Sequence, residues 1–533
     1  MNKRIYDYIE ITDLKDMLNK TKELYSEKPA YKIKTEVGKY KVITHREVRD
    51  MIDYLGTALC NLGLKGKRIA VIGENRYEWE IAYLSIVCGT GIVVPLDKSL
   101  PANELETLIE RANIEAIFYS QKYEETIEKI KLSEKNKLKH LISMDLEKHT
   151  NGIFSQNELI KTGNKLLEKG NKEFVNSKIN PEEMSMMLFT SGTTSASKVV
   201  ALSHKNICTN LMDLGSILDV TSEDTILSNL PIHHVLECTV GFLLSVYKGA
   251  QIVFCDGIRH IVDNLKEYQV TVMACVPGIY ERMFTKIKEE REKLKIKLFI
   301  SGAASLNPQI EEGYRLLGIN LVQGYGLTET SPVVAIGTNK YYKIGSIGKT
   351  VPSVEAKIVD ENNEGIGELI VKGPSVMLGY YQNEEANKEV IKDGWFYTGD
   401  LAKIDKDGYI YICGRKKNVI VLKNGKNIFP EEMESLVNKI EGVEESFVFG
   451  KQLSADKENI KINVKIVFNR KRVKDVYKVK TDEEIYNAIL SKIKEINKTM
   501  PKYKAIRGMI LTETPLIKTT TNKIKRQENL NAI

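Results

Sequence analysis

The stretch KRIAVIGENRYEWEIAYLSIVCGTGIVVPLD, residues 67–97, decides the fold of this chain. It predicts a strand, a turn, an amphipathic helix and a second strand, because short β-branched runs flank a segment with helical periodicity. Two strands joined through a helix form the βαβ unit, in which the strands are parallel. The stretch therefore predicts an α/β fold.

The same alternation continues along the chain. Helical ELETLIERA lies among further predicted strands, which are NIEAIFYS (113–120), LKHLISMD (138–145), AQIVFCD (250–256), VTVMACVP (270–277), KLFISGAA (297–304) and INLVQGYG (319–326). Strands that alternate with helices favour doubly wound, mainly parallel sheets. We expect such sheets to form the body of the protein.

The pattern changes after about residue 340, where short strands and D-G and G-x-G turns predict an antiparallel, β-rich subdomain. From Arg415 onward the segments PEEMESLVNKI, SFVFGK, IKINVKIVF and EEIYNAILSKIKEIN predict a compact α+β unit. At 533 residues the chain exceeds what one hydrophobic core serves. We expect a large domain at 1–416 and a small, mobile domain at 417–533.

Composition is typical of a soluble globular protein, with 42% apolar and 28% charged residues. The N-terminal stretch MNKRIYDYIEITDL has no apolar region typical of a signal peptide. The nearest approach to a membrane span, LECTVGFLLSVY (236–247), is shorter than the ~20 residues that a bilayer requires. Seven scattered cysteines without a C-x-x-C pair predict reduced thiols and a cytoplasmic location.

Charge is uneven along the chain. Residues 415–533 hold 26 Lys and Arg against 15 Asp and Glu, a net charge of +11, whereas the whole chain carries +7. This excess indicates either an anionic partner or a lysine-rich solvated surface. No basic and aromatic residues interleave as they do in nucleic-acid-binding modules, so we expect no nucleic-acid partner.

The loop LFTSGTTSASKVV, residues 188–200, is the densest run of small hydroxyl residues in the chain. It follows a predicted strand, SMMLF, and precedes a predicted helix, SHKNICTNLMDLG. Backbone N–H groups, hydroxyls and a lysine in a tight loop can bind a polyphosphate, although the P-loop spacing is absent. Alone, such a loop is more often a linker.

Four further motifs follow this loop in order. They are QGYGLTETSP (323–332), WFYTGDL (395–401), GRKKNVIVLKNGKNIFPEEME (414–434) and TTTNKIKR (519–526). Together the five motifs resemble the adenylate-forming superfamily, over nearly the whole chain. LPIHHVLE (230–237) and the long GRKK run are most similar to the long-chain fatty acyl-CoA synthetase branch.

The resemblance implies a two-step reaction with ATP, Mg²⁺ and coenzyme A. A carboxylate attacks the α-phosphate of ATP to give an acyl-adenylate and pyrophosphate, and a thiol then takes the acyl group. Positioning and charge stabilisation supply most of the rate in such chemistry. The residues implied to hold the β- and γ-phosphates are Thr190, Ser191, Gly192, Thr193, Thr194 and Lys198.

The resemblance also assigns the nucleotide and the metal. Tyr325 stacks on adenine, Thr328 holds the α-phosphate, and Glu329 binds Mg²⁺, because a carboxylate that faces phosphates needs a metal between them. Asp400 and Arg415 contact the ribose. The remaining residues implied to line the nucleotide slot are Gly302, Ala303, Ala304, Gln323, Gly324 and Gly326.

The C-terminal motifs imply the moving parts. Lys523 neutralises the pentavalent α-phosphate, and Lys417 is the hinge about which the small domain swings. The swing brings Lys523 to the first step and removes it for the second, so that the thiol can enter. Gly425 lets backbone approach the pantetheine channel, and His234 gates the acyl pocket unless it is an ordinary structural histidine.

The chain departs from the family pattern at four positions. Ser195, Ser197 and Val199 replace Gly, Pro and Gly of the hydroxyl-rich loop, and Asn522 replaces Gly of the C-terminal motif. Glycine permits φ > 0 and close approach, so Ser195, Ser197 and Val199 are expected to stiffen or reshape the hydroxyl-rich loop. Asn522 is a milder change, because asparagine tolerates left-handed backbone best after glycine. These departures are expected to affect the reaction rate and the affinity for ATP more than the mechanism.

Other chemistries have weaker support. Adjacent His233 and His234 lack nearby ligands with metal-site spacing, the chain has no G-x-S-x-G elbow, and its G-x-G pairs lack the third glycine of a dinucleotide fingerprint. We expect a medium- or long-chain fatty acid–CoA ligase. An acyl–acyl-carrier-protein ligase with an acidic carrier partner and a nucleotide-binding homologue with impaired turnover remain alternatives. A peripheral membrane contact and the oligomeric state stay open.

Overall fold

The computed structural model describes residues 1–133, 136–190, 198–422, 427–452, 460–519 and 523–533. Its α-helices are α1 Leu14–Tyr25, α2 His45–Asn61, α3 Tyr77–Ser85, α4 Ala102–Arg111, α5 Glu124–Lys131, α6 Gln156–Glu168, α7 His204–Ile217, α8 Leu244–Lys248, α9 Ile261–Glu267, α10 Pro277–Glu289, α11 Pro308–Leu316, α12 Glu384–Val390, α13 Pro430–Val437, α14 Arg470–Tyr477, α15 Asp482–Thr499 and α16 Arg526–Asn531.

Its strands are β1 Pro29–Glu36, β2 Lys39–Thr44, β3 Lys67–Ile72, β4 Gly91–Pro95, β5 Ala116–Tyr119, β6 His140–Ser143, β7 Ile153–Ser155, β8 Met184–Phe189, β9 Val199–Ser203, β10 Thr225–Ser228, β11 Gln251–Phe254, β12 Val272–Cys275, β13 Leu298–Ser301, β14 Asn320–Gly326, β15 Val333–Ile336, β16 Lys349–Thr350, β17 Glu355–Val359, β18 Gly367–Lys372, β19 Gly379–Tyr380, β20 Ile391–Lys392, β21 Trp395–Ile404, β22 Ile410–Arg415, β23 Ile420–Val421, β24 Asn427–Ile428, β25 Val443–Gln452, β26 Ile460–Phe468 and β27 Gly508–Thr512.

The chain divides into two compact units. The first comprises Met1–Thr190, Lys198–Ala356 and Val371–Phe396, and the second includes Lys357–Ile370 and Tyr397–Ile533. The domain boundary predicted between residues 416 and 417 falls inside the second unit. That boundary stays a prediction.

Two large sheets form the first unit. One has nine strands in the order β16-β15-β14-β13-β12-β10-β11-β1-β2, and the other has eight in the order β19-β9-β8-β4-β3-β5-β6-β7. Their central strands are parallel, and antiparallel pairs such as β8–β9 and β14–β15 lie toward the edges. This arrangement confirms the predicted α/β class with mainly parallel sheets.

Helix α3 differs from its prediction. The sequence predicts an amphipathic helix, but Trp79 and every later residue of α3 are buried. Its acidic residue Glu80 accepts a hydrogen bond of 2.7 Å from the hydroxyl of Tyr31, and the Tyr83 ring meets Phe242 edge-on at 5.6 Å. Since strands and helices cover α3 on several sides, no face of it is left for solvent, and the amphipathic prediction is wrong.

Smaller sheets lie in the later part of the chain. Strands β17, β18, β21, β20 and β22 belong to one five-stranded sheet, and β25, β26 and β27 form a three-stranded sheet. In the five-stranded sheet the pairs β20–β21 and β21–β22 are antiparallel, as the sequence predicts for this region. The core beside the three-stranded sheet contains Met433 of α13 and Ile489 of α15. This part confirms the predicted α+β unit, although the sequence did not predict β27, which pairs in parallel with β26.

All seven cysteines are free thiols, as predicted. Within the part of the chain that the structure describes, no helix combines the length and apolar character that a bilayer span requires.

Candidate active site

The hydroxyl-rich loop is closed by a β-hairpin. Strands β8 and β9 pair antiparallel up to Phe189 and Val199, so the loop starts and ends at one place. The Thr190 amide donates a hydrogen bond of 2.9 Å to the carbonyl oxygen of Lys198. The structure therefore holds Thr190 and Lys198 side by side at the mouth of the loop. The other residues predicted to hold phosphate, Ser191, Gly192, Thr193 and Thr194, lie outside the described residues.

Val199 lies in a regular strand. It is 4% exposed and packs in the core of the eight-stranded sheet with Met187 and Ile114. A strand backbone needs no glycine, and a β-branched residue suits it. Val199 therefore belongs to strand β9, next to Lys198, and suits the strand that it begins. Ser195, Ser197 and Asn522 lie outside the described residues, and their expected effect stays a prediction.

Two neighbouring parallel strands bring the predicted adenine slot together. Ser301 at the end of β13 is the register partner of Gln323 in β14, so both strands end at the same edge of the sheet. Ligands in open α/β sheets bind at the carboxyl ends of the strands. The predicted slot residues that lie at this edge are Gly302, Ala303, Ala304, Gln323, Gly324, Tyr325 and Gly326.

The backbone at this edge is unusual at Ala303. It has φ 69°, a left-handed conformation that alanine rarely adopts, and both Ala303 and Ala304 are exposed. Such backbone is concentrated at functional sites. At Gly302, an added Cβ would lie 3.2 Å from the side chain of Leu236. Glycine therefore lets the Leu236 side chain pack closely against the backbone at the start of this segment.

A tight turn after β14 presents Thr328 and Glu329. The Leu327 amide donates to the carbonyl oxygen of Pro332 at 3.1 Å, and the Thr330 hydroxyl hydrogen-bonds the same carbonyl. A Cβ on Gly326 would lie 1.9 Å from that carbonyl oxygen, so no other residue fits there. The turn fixes the backbone that carries the two side chains predicted to face the α-phosphate and the metal.

Tyr380 connects the two charged residues of this region. Its hydroxyl donates a hydrogen bond of 2.9 Å to Oε1 of Glu329, and Nζ of Lys198 lies 4.4 Å from its ring centroid. Tyr380 is not among the residues predicted from the sequence. The residue lies in a two-residue strand, β19, that pairs with the distant strand β9, and no local pattern marks such a pairing.

His234, the predicted gate, lies next to the same slot. Its Nδ1 accepts a hydrogen bond of 3.4 Å from the amide of Leu236, whose side chain lies against Gly302. Nε2 of the neighbouring His233 lies 3.5 Å from Oδ1 of Asp97, and burial lowers the pKa of the His233 imidazole. The gating role of His234 stays a prediction.

The two residues predicted to contact ribose lie together in the second unit. Asp400 of β21 and Arg415 of β22 are register partners, and Nε of Arg415 lies 2.7 Å from Oδ1 of Asp400. The Asp400 side chain is 5% exposed, and the backbone amide of Asp400 donates a hydrogen bond of 3.0 Å to the hydroxyl of Thr398. The arginine thus orients a buried carboxylate of the kind that hydrogen-bonds sugar hydroxyls.

Lys523 belongs to a closed hairpin, although a lysine so near the C-terminus is more often part of a solvated tail. Its carbonyl oxygen accepts from the Thr519 amide at 2.8 Å, and its own amide donates to Oγ1 of Thr519 at 3.1 Å. The next residue, Ile524, packs on the cluster of Phe447 and Phe449. The Lys523 side chain itself is exposed.

The predicted hinge lies in a short 3₁₀ turn, Lys416–Asn418. Lys417 is exposed there. Its neighbour Lys416 forms an ion pair of 2.7 Å with Glu368, whose side chain is 7% exposed. Gly425, predicted to border the pantetheine channel, lies outside the described residues.

The residues around Glu329 suit Mg²⁺ in the way that nucleotide sites hold it. No group of three or more His, Cys, Asp or Glu side chains in the described ranges could hold a metal. Mg²⁺ in nucleotide sites takes one or two carboxylates, and phosphates and water supply its other ligands. Glu329, a single carboxylate that shares Tyr380 with Lys198, fits this mode.

Comparison with known proteins identifies the family. Residues 18–381 match the model described as AMP-binding enzyme, and residues 417–532 match the model of the AMP-binding enzyme C-terminal domain. The chain therefore belongs to the AMP-binding enzyme family.

Curated relatives are similar over most of their length. The long-chain-fatty-acid–CoA ligase of Salmonella typhimurium is 30% identical over 475 residues, which cover 83% of each chain. The long-chain-fatty-acid–CoA ligase 5 of Rattus norvegicus is 30% identical over 488 residues, which cover 78% of this chain and 70% of the rat protein.

Solved structures share the fold. An anthranilate CoA ligase in complex with anthranoyl-AMP has a TM-score of 0.83 at 21% identity and covers 99% of this chain and 98% of its own. The O-succinylbenzoate coenzyme A synthetase of Bacillus subtilis in complex with AMP has a TM-score of 0.78 at 21% identity, with 96% and 97% coverage. At these identities the likeness shows the fold alone.

Proposed function

We propose that this protein is an ATP-dependent fatty acid–CoA ligase for medium- or long-chain acids. The observation that carries the proposal is the contact of Tyr380 with both Lys198 and Glu329. Lys198 is held beside Thr190 by a backbone hydrogen bond, and Glu329 follows Thr328 in the turn after β14. The names of relatives that are 30% identical over most of the chain support a long-chain fatty acid as substrate.

In the first step a carboxylate oxygen of the fatty acid forms a bond to the α-phosphorus of ATP. The bond between that phosphorus and the bridging oxygen breaks, and pyrophosphate leaves with its electron pair. Thr328 hydrogen-bonds the α-phosphate, Lys198 and the Thr190 hydroxyl bind the departing phosphates, and Lys523 neutralises the added charge on phosphorus. Preorganised donors of this kind stabilise the transition state more than the ground state.

Glu329 offers a carboxylate oxygen to Mg²⁺, which when bound supplies positive charge beside the phosphates. Asp400, oriented by Arg415, accepts hydrogen bonds from the ribose hydroxyls. The aromatic face of Tyr325 covers the adenine.

In the second step the thiol sulfur of coenzyme A attacks the acyl carbon of the adenylate, and AMP leaves as its phosphate oxygen takes the bonding electrons. The thiol proton passes to water. Lys523 has no part in this step, which is why we place a hinge at Lys417 and a mobile domain at 417–533. The matched C-terminal model begins at residue 417, which supports this boundary.

An acyl–acyl-carrier-protein ligase is the second candidate, because helix α14 presents a basic surface. The stretch RKRVKDVY (470–477) carries four basic residues and one acidic residue, and Lys471 and Arg472 are exposed. Carrier proteins are typically acidic, and opposite charges favour encounter. The phosphates of coenzyme A suit the same surface, so the acceptor must be tested directly.

A panel of carboxylic acids from acetate to oleate tests both candidates, assayed with ATP and either coenzyme A or acyl carrier protein. The proposal expects oleate or a medium-chain acid with coenzyme A to give the highest kcat/KM. Faster transfer to carrier protein would favour the second candidate. If no acid supports exchange of labelled pyrophosphate into ATP, the protein is a nucleotide-binding homologue with impaired turnover.

A further inference from the structure

The segment Met377–Tyr381 ties the predicted phosphate loop to the predicted metal turn. The Met377 amide donates to the carbonyl oxygen of Glu329 at 2.8 Å. The Leu378 and Tyr381 amides donate to strand β9, to the carbonyl oxygens of Ala201 at 3.0 Å and Val199 at 2.8 Å. The backbone of this segment therefore fixes the distance between the strand that starts after Lys198 and the turn that carries Glu329.

The side chain of Tyr380 makes the same connection between the two charges. The Lys198 ammonium lies over its ring, 4.4 Å from the centroid, and its hydroxyl donates to the Glu329 carboxylate at 2.9 Å. Tyr380 is 6% exposed. A cation over an aromatic face and a hydrogen bond to a carboxylate are both favourable, and both strengthen as water is excluded.

Two further contacts fix the backbone of Tyr380. The side-chain oxygen of Asn387 accepts from the Tyr380 amide at 2.6 Å, and its amide nitrogen donates to the Tyr380 carbonyl at 3.0 Å. At the preceding residue, Gly379 has φ 143°, and an added Cβ would meet the Asn387 side chain at 3.0 Å. The ring is therefore held in place by a side chain from α12 as well as by strand pairing.

We propose that Tyr380 is a positioning residue for nucleotide binding, which rests on the function proposed above. An ammonium and a carboxylate attract one another, and a direct ion pair between Lys198 and Glu329 would withdraw both from a ligand. Tyr380 gives each charge a separate partner. Its ring face positions the Lys198 ammonium to bind the phosphates, and its hydroxyl positions the Glu329 carboxylate to bind the metal that accompanies them.

The two contacts can be separated by substitution. Tyr380→Phe keeps the ring under Lys198 and removes the donor to Glu329, whereas Tyr380→Leu removes both contacts. The neighbouring Tyr381 offers a matched control, since its hydroxyl accepts from Arg68 at 2.6 Å and the Arg68 guanidinium lies 4.8 Å from its ring centroid. Tyr381→Phe therefore removes a similar hydrogen bond at a place that touches neither Lys198 nor Glu329.

The experiment is calorimetric titration of the full-length protein with ATP, without a carboxylic acid, over a series of Mg²⁺ concentrations and in EDTA. For Tyr380→Phe we expect affinity in Mg²⁺ to fall about 10-fold, as for a lost hydrogen bond to a charged group, and affinity in EDTA to stay within about 2-fold of wild type. For Tyr380→Leu both affinities fall. Tyr381→Phe matches wild type, and circular dichroism confirms that each variant is folded.

The outcomes separate the two proposals. If wild type binds ATP and Tyr380→Phe shows an unchanged dependence on Mg²⁺, the role of Tyr380 is overturned and the proposed function stands. If Tyr380→Phe loses affinity equally with Mg²⁺ and in EDTA, the residue has a general structural role, and the proposal is again overturned. If wild type binds no ATP in either condition, the proposed function fails and the inference fails with it.

Discussion

Nη2 of Arg526 lies 2.6 Å from Oε2 of Glu434, a carboxylate that is almost entirely buried. Oε1 of Glu434 accepts from the Val448 amide at 2.7 Å, and Arg526 also donates to the Val448 carbonyl oxygen at 3.2 Å. Arg526 lies three residues after Lys523. The ion pair therefore anchors the hairpin of Lys523 to helix α13 and strand β25.

Arg526→Ala is expected to loosen this hairpin. Burial raises the pKa of Glu434, and Arg526 offsets part of that effect, so loss of the arginine leaves a buried carboxyl without its charge partner. Breaking a buried pair in this way costs about 3 kcal/mol. Hydrogen exchange of residues 517–531 in the full-length protein should become faster, and adenylate formation should slow more than acyl transfer does.

A surface ion pair in the same unit provides the control for Arg526. Nη2 of Arg472 lies 2.5 Å from Oε1 of Glu441, and the two side chains are 64% and 50% exposed. Arg472→Ala should therefore lower the free energy of unfolding by no more than about 1 kcal/mol. Unchanged exchange of residues 517–531 in Arg526→Ala would show that the pair does not hold the hairpin.

Lys523→Ala separates the two half-reactions. We expect pyrophosphate exchange to fall at least ~100-fold, because the variant loses a preorganised charge next to the phosphorus, while transfer from a preformed acyl-adenylate to coenzyme A stays within about 3-fold. Lys525→Ala is the matched control, since the Lys525 ammonium forms a surface ion pair with the Glu528 carboxylate at 3.0 Å. An equal loss in both half-reactions would contradict the role assigned to Lys523.

Much of the fold follows from local patterns. Strands β3, β4 and β14 were predictable because each is a short β-branched or apolar run bounded by turn residues. The amphipathic character of α3 was wrongly predicted, since burial on several sides depends on what packs against a helix. Strand β27 was missed for a similar reason: it joins β26 in parallel, across the intervening helices α14 and α15.

The candidate site was predictable to the extent that its residues lie in compact motifs. Asp400 and Arg415 were named from separate motifs, and the structure pairs them directly. Tyr380 could not be named in this way, because its role depends on strand β19 joining β9. Arg526 belongs to the C-terminal motif TTTNKIKR, but its buried partner Glu434 lies in α13, and only the fold brings the two residues together.

Glu237 is expected to give the folded state a pH-dependent stability. Burial raises the pKa of this carboxyl to about 7, and hydrogen bonds from Ser228 and from the amides of Leu230 and Asn229 offset only part of that rise. Between pH 4.5 and about 7 the folded state holds a proton that the unfolded state has released. Stability from this group is therefore greatest below pH 4.5 and declines until about pH 7, by on the order of 3 kcal/mol.

Glu237→Gln removes this decline. Its amide oxygen can still accept from the Leu230 amide, while its NH₂ occupies the position of Oε1, which has no hydrogen-bond partner among the described residues. That mismatch lowers the stability of the folded variant by an amount that does not change with pH. The measurement is therefore the difference in unfolding midpoint between variant and wild type at pH 5, 6, 7 and 8. The difference should shift in favour of the variant as pH rises. Glu312→Gln, at an exposed position, should show no such trend, and a flat difference for Glu237→Gln would contradict the buried proton.

Gly326→Ala is expected to disrupt the turn that carries Thr328 and Glu329. The new Cβ would lie 1.9 Å from the carbonyl oxygen of Pro332, a backbone atom that cannot rotate away, and that carbonyl accepts the hydrogen bond from the Leu327 amide. The turn must open to admit the methyl group, so ATP affinity should fall by more than about 10-fold, and the unfolding temperature should fall as well.

The control for this substitution is Gly278→Ala, in the first turn of α10, where an added Cβ meets nothing within 4 Å. Alanine is favoured over glycine in a helix by up to about 1 kcal/mol, so this variant should match or exceed wild-type stability and bind ATP equally well. Both variants lose a glycine, and only Gly326→Ala collides with backbone. Wild-type ATP binding by Gly326→Ala would mean that the turn can move without loss, and that the placement of Thr328 and Glu329 is not what nucleotide binding requires.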